Sequence, residues 1–471
     1  MSVSTLAGEN IAPATSTRLY RAVWRWHFYA GLYVAPFLFM LALSGLIMVY
    51  GNSIETFLGK KHYVAPGGDR TSISEQAKLA VDSVAGGKLT LFVNPASDDR
   101  ANIFIVTGAD DKQRVVAVDP HGPVIVGSIV KDNTWFYWAD RLHGSLFISP
   151  ATNGLGDRLI EVAAGLGILL ILTGLYMWWP GDTHQWRATL LPNLSLRGRA
   201  LWRELHASIG FYISIALLFF FISGLSWAGI WGGKYVQAWS TFPAEKWDNV
   251  PLSDARHAGM NHGALKEVPW TLEQTPMPES GSPAGVTRLP AGSPVTLDTV
   301  AAFARSLGFH EQFRINVPQD AKGVYTISAD SMDADTTSPT GDHTVHVDQY
   351  TGKVLADIRF ADYPLAGKAM AVGIALHEAT MGWWNTALNT LMCLSVMFIS
   401  VSGIVMWWKR RPQGSLGAPL YPRGYRVPLA IMGLGLALVI LFPLSGAVIA
   451  LFAAIDFLLP KGLKEAGSRP G

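Results

Sequence analysis

Of the twelve histidines in the chain, four stand at the edges of long apolar runs and fall into two equivalent pairs. His27 and His206 open two such runs, and His143 and His377 lie just before two others that travel the opposite way. A single histidine at such a boundary is ordinarily an interfacial side chain, apolar in body and polar at the tip. Four at matching positions ask for one consistent geometry, and the chemistry that fits is axial ligation. Two facing imidazoles make haem iron six-coordinate and low-spin, a state suited to moving electrons rather than binding oxygen. The expected ligands of two b-type haems are therefore His27 with His206 and His143 with His377. Cys393 is the only cysteine and sits within an apolar run, so a disulfide framework, a thiolate metal cage and an iron–sulfur site are excluded. Without CxxCH, any haem is held non-covalently.

The elements that must position these residues are helices in a bilayer. The 471 residues are 49% hydrophobic and only 15% charged, a balance low in charge for a soluble chain. Apolar runs at 28 to 50, 162 to 179, 207 to 231, 379 to 408 and 427 to 455 are each long enough to cross a hydrocarbon core. Helices suit them, because lipid offers no water to backbone groups. The expected order is a cytoplasmic segment 1–26, a span 27–50, an extracytoplasmic insert 51–155, a span 156–179, a cytoplasmic loop 180–205 and a span 206–231. A second insert 232–378, a span 379–408, a cytoplasmic loop 409–426, a fifth span 427–455 and an extracytoplasmic tail 456–471 follow. Orientation comes from the basic residues, since the net charge of +2 is uninformative. Arg18, Arg21 and Arg25, then Arg187, Arg197, Arg199 and Arg203, then Lys409, Arg410, Arg411, Arg423 and Arg426 occupy alternate loops, which the positive-inside rule makes cytoplasmic. The first run is too long for a signal h-region and lacks a clear cleavage site, so a cleaved signal is not expected.

An offset of 179 residues lays His27, Gly31, Tyr33, Ser44, Gly45 and Leu46 over His206, Gly210, Tyr212, Ser223, Gly224 and Leu225. Likewise, Leu142-His143 precedes a run ending Thr173-Gly174-Leu-Tyr-Met-Trp-Trp, and Leu376-His377 one ending Ser402-Gly403-Ile-Val-Met-Trp-Trp. The unit of helix, insert and helix is thus used twice in parallel, an arrangement that places sites at the repeat interface. The Ser-Gly and Thr-Gly pairs lie level with the histidines of the other pair, where a flat macrocycle needs close backbone approach; they serve helix packing equally well. The fifth run keeps Ser445-Gly446 but has Pro428 in place of the histidine.

Each insert reads as a small α+β module. SISEQAKLAVDSV (72 to 84) and TLDTVAAFARSL (296 to 307) have helical spacing; LTLFV, NIFIV, RVVAV, VYTIS and HTVHVDQYTGKVL alternate as strands. Asp119-Pro120 with Gly122, and Asp348 with Gly352, mark equivalent turns, and the Pro-, Gly- and Ser-rich stretch 267 to 294 reads as a flexible linker. Trp135, Phe136, Tyr137 and Trp138 precede His143 as a candidate substrate surface, with belt packing the competing reading. Trp24, Trp26, Trp178, Trp179, Trp407 and Trp408 read as an interfacial belt. His257, Met260 and His262 form an HxxMxH cluster, better read as a solvated loop than as a metal site because no carboxylate or cysteine completes it.

With WRWHFYAGLYVAPFLFMLALSGLI, LHGSLF with LTGLYMWWP, WRELHASIGFY, LHEATMGWW with VSGIVMWW, and VHVDQYTGKVL in this order, the chain resembles the PepSY-associated transmembrane-helix family of bacterial inner-membrane proteins across most of 18 to 410. The resemblance implies an α-helical integral membrane protein with extracytoplasmic PepSY-like domains, and a role in iron uptake as a haem-containing reductase of ferric siderophores, with His27, His143, His206 and His377 at the motif positions. The expected partners are a ferric siderophore and the lipid bilayer, with no nucleic acid. No GxGxxG follows an expected strand, so electrons must come from a separate cytoplasmic reductase or a membrane quinol. A non-enzymatic PepSY sensor or protease-regulating protein is the alternative. Transport of the intact chelate is disfavoured, because the spans hold almost no ionisable residues.

Overall fold

A helix rising 1.5 Å per residue needs about 20 apolar residues to cross a bilayer core. In this computed structural model, four helices meet that length and composition: Arg18–Val49 within the helix Thr15–Val49 (span 1), Leu155–Trp178 (span 2), Gly198–Leu225 (span 3) and Trp383–Arg410 (span 4). The structure describes residues 15–458 except 52, 55–62, 66, 123, 180–189, 245, 246, 248, 262–266, 290–292, 414, 415 and 420–427. The loop residues 180–189, His262 and most of the tail 456–471 thus lie outside the described residues.

The expected fifth span is instead two helices, Leu429–Leu441 and Pro443–Leu458. Pro443 cannot donate to the helix before it, and Phe442 leaves the helical region with φ −127° and ψ 73°. At 13 and 16 residues, each covers about 20 to 24 Å, short of a core of about 30 Å. Counting apolar residues through Pro443 merges the two. Span 4 is also shorter at its start than expected: His377 belongs to a separate helix, Leu365–Glu378, which ends at Ala379 in the left-handed region (φ 65°).

The described residues form two compact units. The first comprises Met1–Ala42, Arg158–Leu225 and Leu394–Gly471, and so holds most of the four spans and both short helices. Its close packing depends on small residues: Gly167 faces the Phe221 ring with no room for a methyl group, and Ser445 donates to the Val162 carbonyl at 3.3 Å. Trp178 stacks on Phe211 with centroids 3.6 Å apart. Arg410 lies 4.7 Å over Trp24, and Arg411 3.8 Å over Trp408, the contact expected where aromatic rings and cations meet at an interface.

The second unit, Leu43–Asp157 and Ser226–Cys393, holds both inserts. Their strands are β1 Lys88–Asn94, β2 Asn102–Thr107, β3 Gln113–Val118, β4 Ile125–Val130, β5 Leu252–Arg256, β6 Pro276–Pro278, β7 Val286–Thr287, β8 Phe313–Asn316, β9 Val324–Ala329, β10 His343–Asp348 and β11 Lys353–Arg359. Each insert contributes a helix followed by four antiparallel strands, and the two sets join edge to edge, with Phe92 of β1 opposite Ile315 of β8. The result is one nine-stranded sheet in the order β4-β3-β2-β1-β8-β9-β10-β11-β7, so neither insert leaves its inner edge unpaired. The helices Ile73–Asp82 and Leu297–Ser306 pack on one face over Phe92, Phe104, Phe313, Ile315 and Ile327. Asp298, in the first turn of the second helix, accepts from the backbone N–H of Ile73 at 2.6 Å and of Ser74 at 3.1 Å, which caps the first. The expected turns are alike: Asp119 accepts from the N–H of His121, and Asp348 from those of Tyr350 and Thr351.

The stretch 267 to 294 is packed rather than flexible among its described residues. Val268, Trp270 and Leu272 are buried, and Gly281 N–H bonds the Asp348 carboxylate at 2.6 Å. Val268 and Leu272 join Phe242, Trp247 and Val250 in packing against Val324, Leu355 and Ile358 of the β9–β11 half. The HxxMxH cluster is corrected in the same way. His257 is fully buried rather than solvated, and it pairs with His346, Nε2 to Nε2 at 2.9 Å. Its Nδ1 faces the Thr275 carbonyl at 2.8 Å and must donate to it, so its Nε2 accepts from His346, whose Nδ1 accepts from Thr326 at 2.9 Å.

Burial pushes His257 down from 6.5 to about 4 and His346 in the same direction. Between those values the unfolded chain binds the extra proton, so stability is full above pH 6.5 and falls as pH drops. From pH 7 to pH 5 the difference in unfolding free energy between wild type and His257→Asn should shrink by about 2 kcal/mol, read from denaturant unfolding of the sheet. A difference that stays constant with pH contradicts the pairing.

Candidate functional site

An imidazole N–H in an apolar setting needs an acceptor, and spans 1, 2 and 4 each supply one. In the first unit, His27 Nδ1 lies 2.9 Å from Thr173 Oγ1, and His206 Nδ1 lies 2.8 Å from Ser402 Oγ. The direction of these bonds follows from the helix backbone. Thr173 Oγ1 donates to the Leu169 carbonyl at 2.7 Å and Ser402 Oγ to the Ile399 carbonyl at 3.0 Å, and a carbonyl only accepts. Each hydroxyl has one hydrogen, so it accepts from Nδ1–H. The proton is thereby fixed on Nδ1, and Nε2 of His27 and His206 carries a bare lone pair.

The glycine beside each hydroxyl lies against the ring. A Cβ on Gly174 would sit 3.4 Å from His27 Cε1, and one on Gly403 3.7 Å from His206 Cε1. In the second unit, Ser44 Oγ lies 3.0 Å from His143 Nδ1, and a Cβ on Gly45 would lie 3.7 Å from its Cε1. The small residues, read from the sequence as room for a macrocycle, thus receive an imidazole edge. The hydroxyl's role was not read there; its signal was a Ser or Thr before each Gly, level with a histidine.

Within each unit the expected partners lie within electrostatic range of one another. His27 and His206 are electrostatic neighbours within the first unit, as are His143 and His377 within the second. Burial, with the charge of His143 second, pushes His377 down to about 3, which keeps it neutral and able to ligate. Its helix is held by two residues that sequence reasoning missed. Asn389 Nδ2 donates to the carbonyls of His377 at 2.8 Å and Leu376 at 3.0 Å, and Asn385 Nδ2 to Leu376 at 3.0 Å. Both asparagines are buried near the start of span 4, and they satisfy the last carbonyls of the preceding helix. An amide four residues from another in an apolar run was the available signal.

His143 ends the helix Trp135–Ser145, which Thr134 caps by accepting from Tyr137 N–H at 3.2 Å. Trp135, Phe136 and Trp138 are exposed on it, with Trp138 against Phe147 at 5.3 Å. Two carboxyl groups accompany this pair. Burial pushes Glu378 up to about 8 and Asp140 up to about 6, so Glu378 is protonated at neutral pH. The arrangement offers imidazole nitrogens at each level, a donor set for a transition metal such as haem iron.

Thr173→Val keeps the side-chain shape and removes the acceptor, leaving His27 Nδ1–H unpaired. It should cost about 1 to 3 kcal/mol in detergent unfolding, with Thr173→Ser close to wild type. Equal loss in both variants contradicts the hydrogen-bonding role.

A family model described as PepSY-associated TM region matches residues 24–410. Among curated proteins, nothing matches the chain.

Proposed function

We propose, from the premise that this chain belongs to the PepSY-associated TM region family, that it is a di-haem electron-transfer protein of the bacterial inner membrane which reduces ferric siderophores. Family membership and the four apolar helices make it a multi-pass membrane protein; the alternation of basic loops supports a cytoplasmic N-terminus and an extracytoplasmic second unit. His27 with His206, and His143 with His377, would hold the two b-type haems. When bound, such a group would supply a one-electron centre.

The observation that carries the reading is the bond from Nδ1 to a helix-anchored hydroxyl at His27 and His206. It leaves Nε2 unprotonated, orients the ring and raises its basicity, as a partner behind a ligand does. Burial keeps His377 neutral without help from pH, and the Asn385 and Asn389 amides fix the end of its helix. The second pair shares its unit with the exposed Trp135, Phe136 and Trp138, which suits contact with a chelate too large and polar to enter the bilayer. One electron converts bound iron(III) to iron(II), a softer ion held weakly by a hard oxygen cage. A cytoplasmic reductase or membrane quinol supplies that electron.

His206→Ala should lose about half the haem per protein while remaining membrane-inserted, since two independent ligand sets are proposed. His377→Ala should abolish reduction of an added ferric siderophore, read as formation of an iron(II)–chromophore complex, while Trp179→Ala retains it. Full haem retention in the first, or normal reduction in the second, contradicts the reading. Absence of any Soret band in wild type returns the chain to the sensor alternative.

A further inference from the structure

Away from the histidine pairs, the segment between β9 and β10 gathers several buried carboxyl groups beside Arg314. Asp330, Asp335 and Asp342 are 1%, 5% and 4% exposed, and Asp333 joins them on the loop after β9. Arg314 is the guanidinium among them, with Nε 2.9 Å from Asp335 Oδ2 and 3.3 Å from Asp333 Oδ2. Gln312, at 2.6 Å from Asp335 Oδ1, is a second donor to Asp335, whose carboxylate has further lone pairs. Asp330 is different: its Oδ1 accepts from the Asp333 N–H at 2.8 Å, but its buried Oδ2 has no donor among the described residues.

A second observation bears on the same Asp330. A small cavity of about 10 Å³ beside the cluster is lined by Asp330, Asp342, Trp270 and Tyr363, and not by Asp333 or Asp335. The Tyr363 hydroxyl is buried there, its residue 3% exposed, and it too lacks a partner among the described residues. Such a space is about the size of one water or one ion. A buried set of carboxylates with unpaired oxygens is untenable as it stands, because each unmet charge in low dielectric is costly.

We propose that Asp330, Asp333 and Asp335 bind a divalent cation of calcium's class. Their ligand oxygens lie within 4.8 Å of one another, the span that two bonds of about 2.3 to 2.6 Å to one ion allow. The donors are all hard oxygens, with no imidazole or thiolate, and an irregular loop suits the flexible shell of calcium better than the strict octahedron of magnesium. The alternative means of neutralising the site is protonation, since burial raises Asp330 and Asp333 well above the usual carboxylate range. Ala371 and Ile374 of the helix that carries His377 also line the cavity, so the ion would brace that helix.

The test uses the full-length protein in detergent, stripped with chelator and titrated with terbium under tryptophan excitation. Trp270 at the cavity wall should sensitise a terbium signal that calcium displaces and equimolar magnesium does not, and calcium should raise the melting temperature of wild type. Asp330→Asn with Asp333→Asn should bind terbium at least about tenfold more weakly, with the optical spectrum of any bound haem unchanged. The wild-type titration stands even if the double variant fails to fold. No sensitised signal, no calcium shift, or equal displacement by magnesium overturns the proposal.

Discussion

A polar hydrogen placed inside an apolar helix bundle must find an acceptor in the protein, and that constraint organises the candidate sites. Thr173, Ser402 and Ser44 each meet an imidazole Nδ1, and the ring lies in contact with the glycine that follows each. At Thr173 and Ser402 the hydroxyl first donates to its own helix, so the tautomer of the facing histidine is settled by a backbone carbonyl one turn away. The consequence is an unprotonated Nε2 that neither acidity nor solvent must prepare. Motifs that serve helix packing in many membrane proteins here combine packing with orientation.

The second unit answers a different problem, holding His143 and His377 at the ends of short helices that precede spans. Both helices stop within three residues of the histidine, at Leu146 (φ 54°) and Ala379 (φ 65°), conformations uncommon for residues with a side chain. The same unit contains a sheet made from both inserts, with Asp298 capping a helix of the other insert. Pairing β1 with β8 removes two edges and makes the inserts one folding body. The His257–His346 pair and the packed stretch after Val268 close the far face of its β9–β11 half.

Much of this was legible in the residues. The four spans follow from apolar length, and the four histidines from repeated position, because hydropathy and spacing are local properties. The helices and several strands of each insert were also readable, although β4, β5, β6, β7 and β8 were not singled out. What escaped was non-local. Nothing in LTLFV says that its free edge meets β8, nothing near His257 names His346, and three buried residues in a Pro- and Gly-rich stretch are too few to announce a packed segment. Pro443 was readable as a break, but the apolar run around it hid the division. The acidic loop Asp330 to Asp335 is unremarkable until its burial and Arg314 are seen together.

The central claim is that each histidine pair presents two neutral nitrogens to one iron. Low-temperature electron paramagnetic resonance of the oxidised, purified protein addresses it directly, with haem quantified on the same sample. The account predicts two haems per chain, both low-spin with bis-imidazole signatures, and loss of one low-spin signal in His27→Ala. A high-spin signal, a single haem that survives His27→Ala unchanged, or no haem after expression with ample haem supply would contradict it.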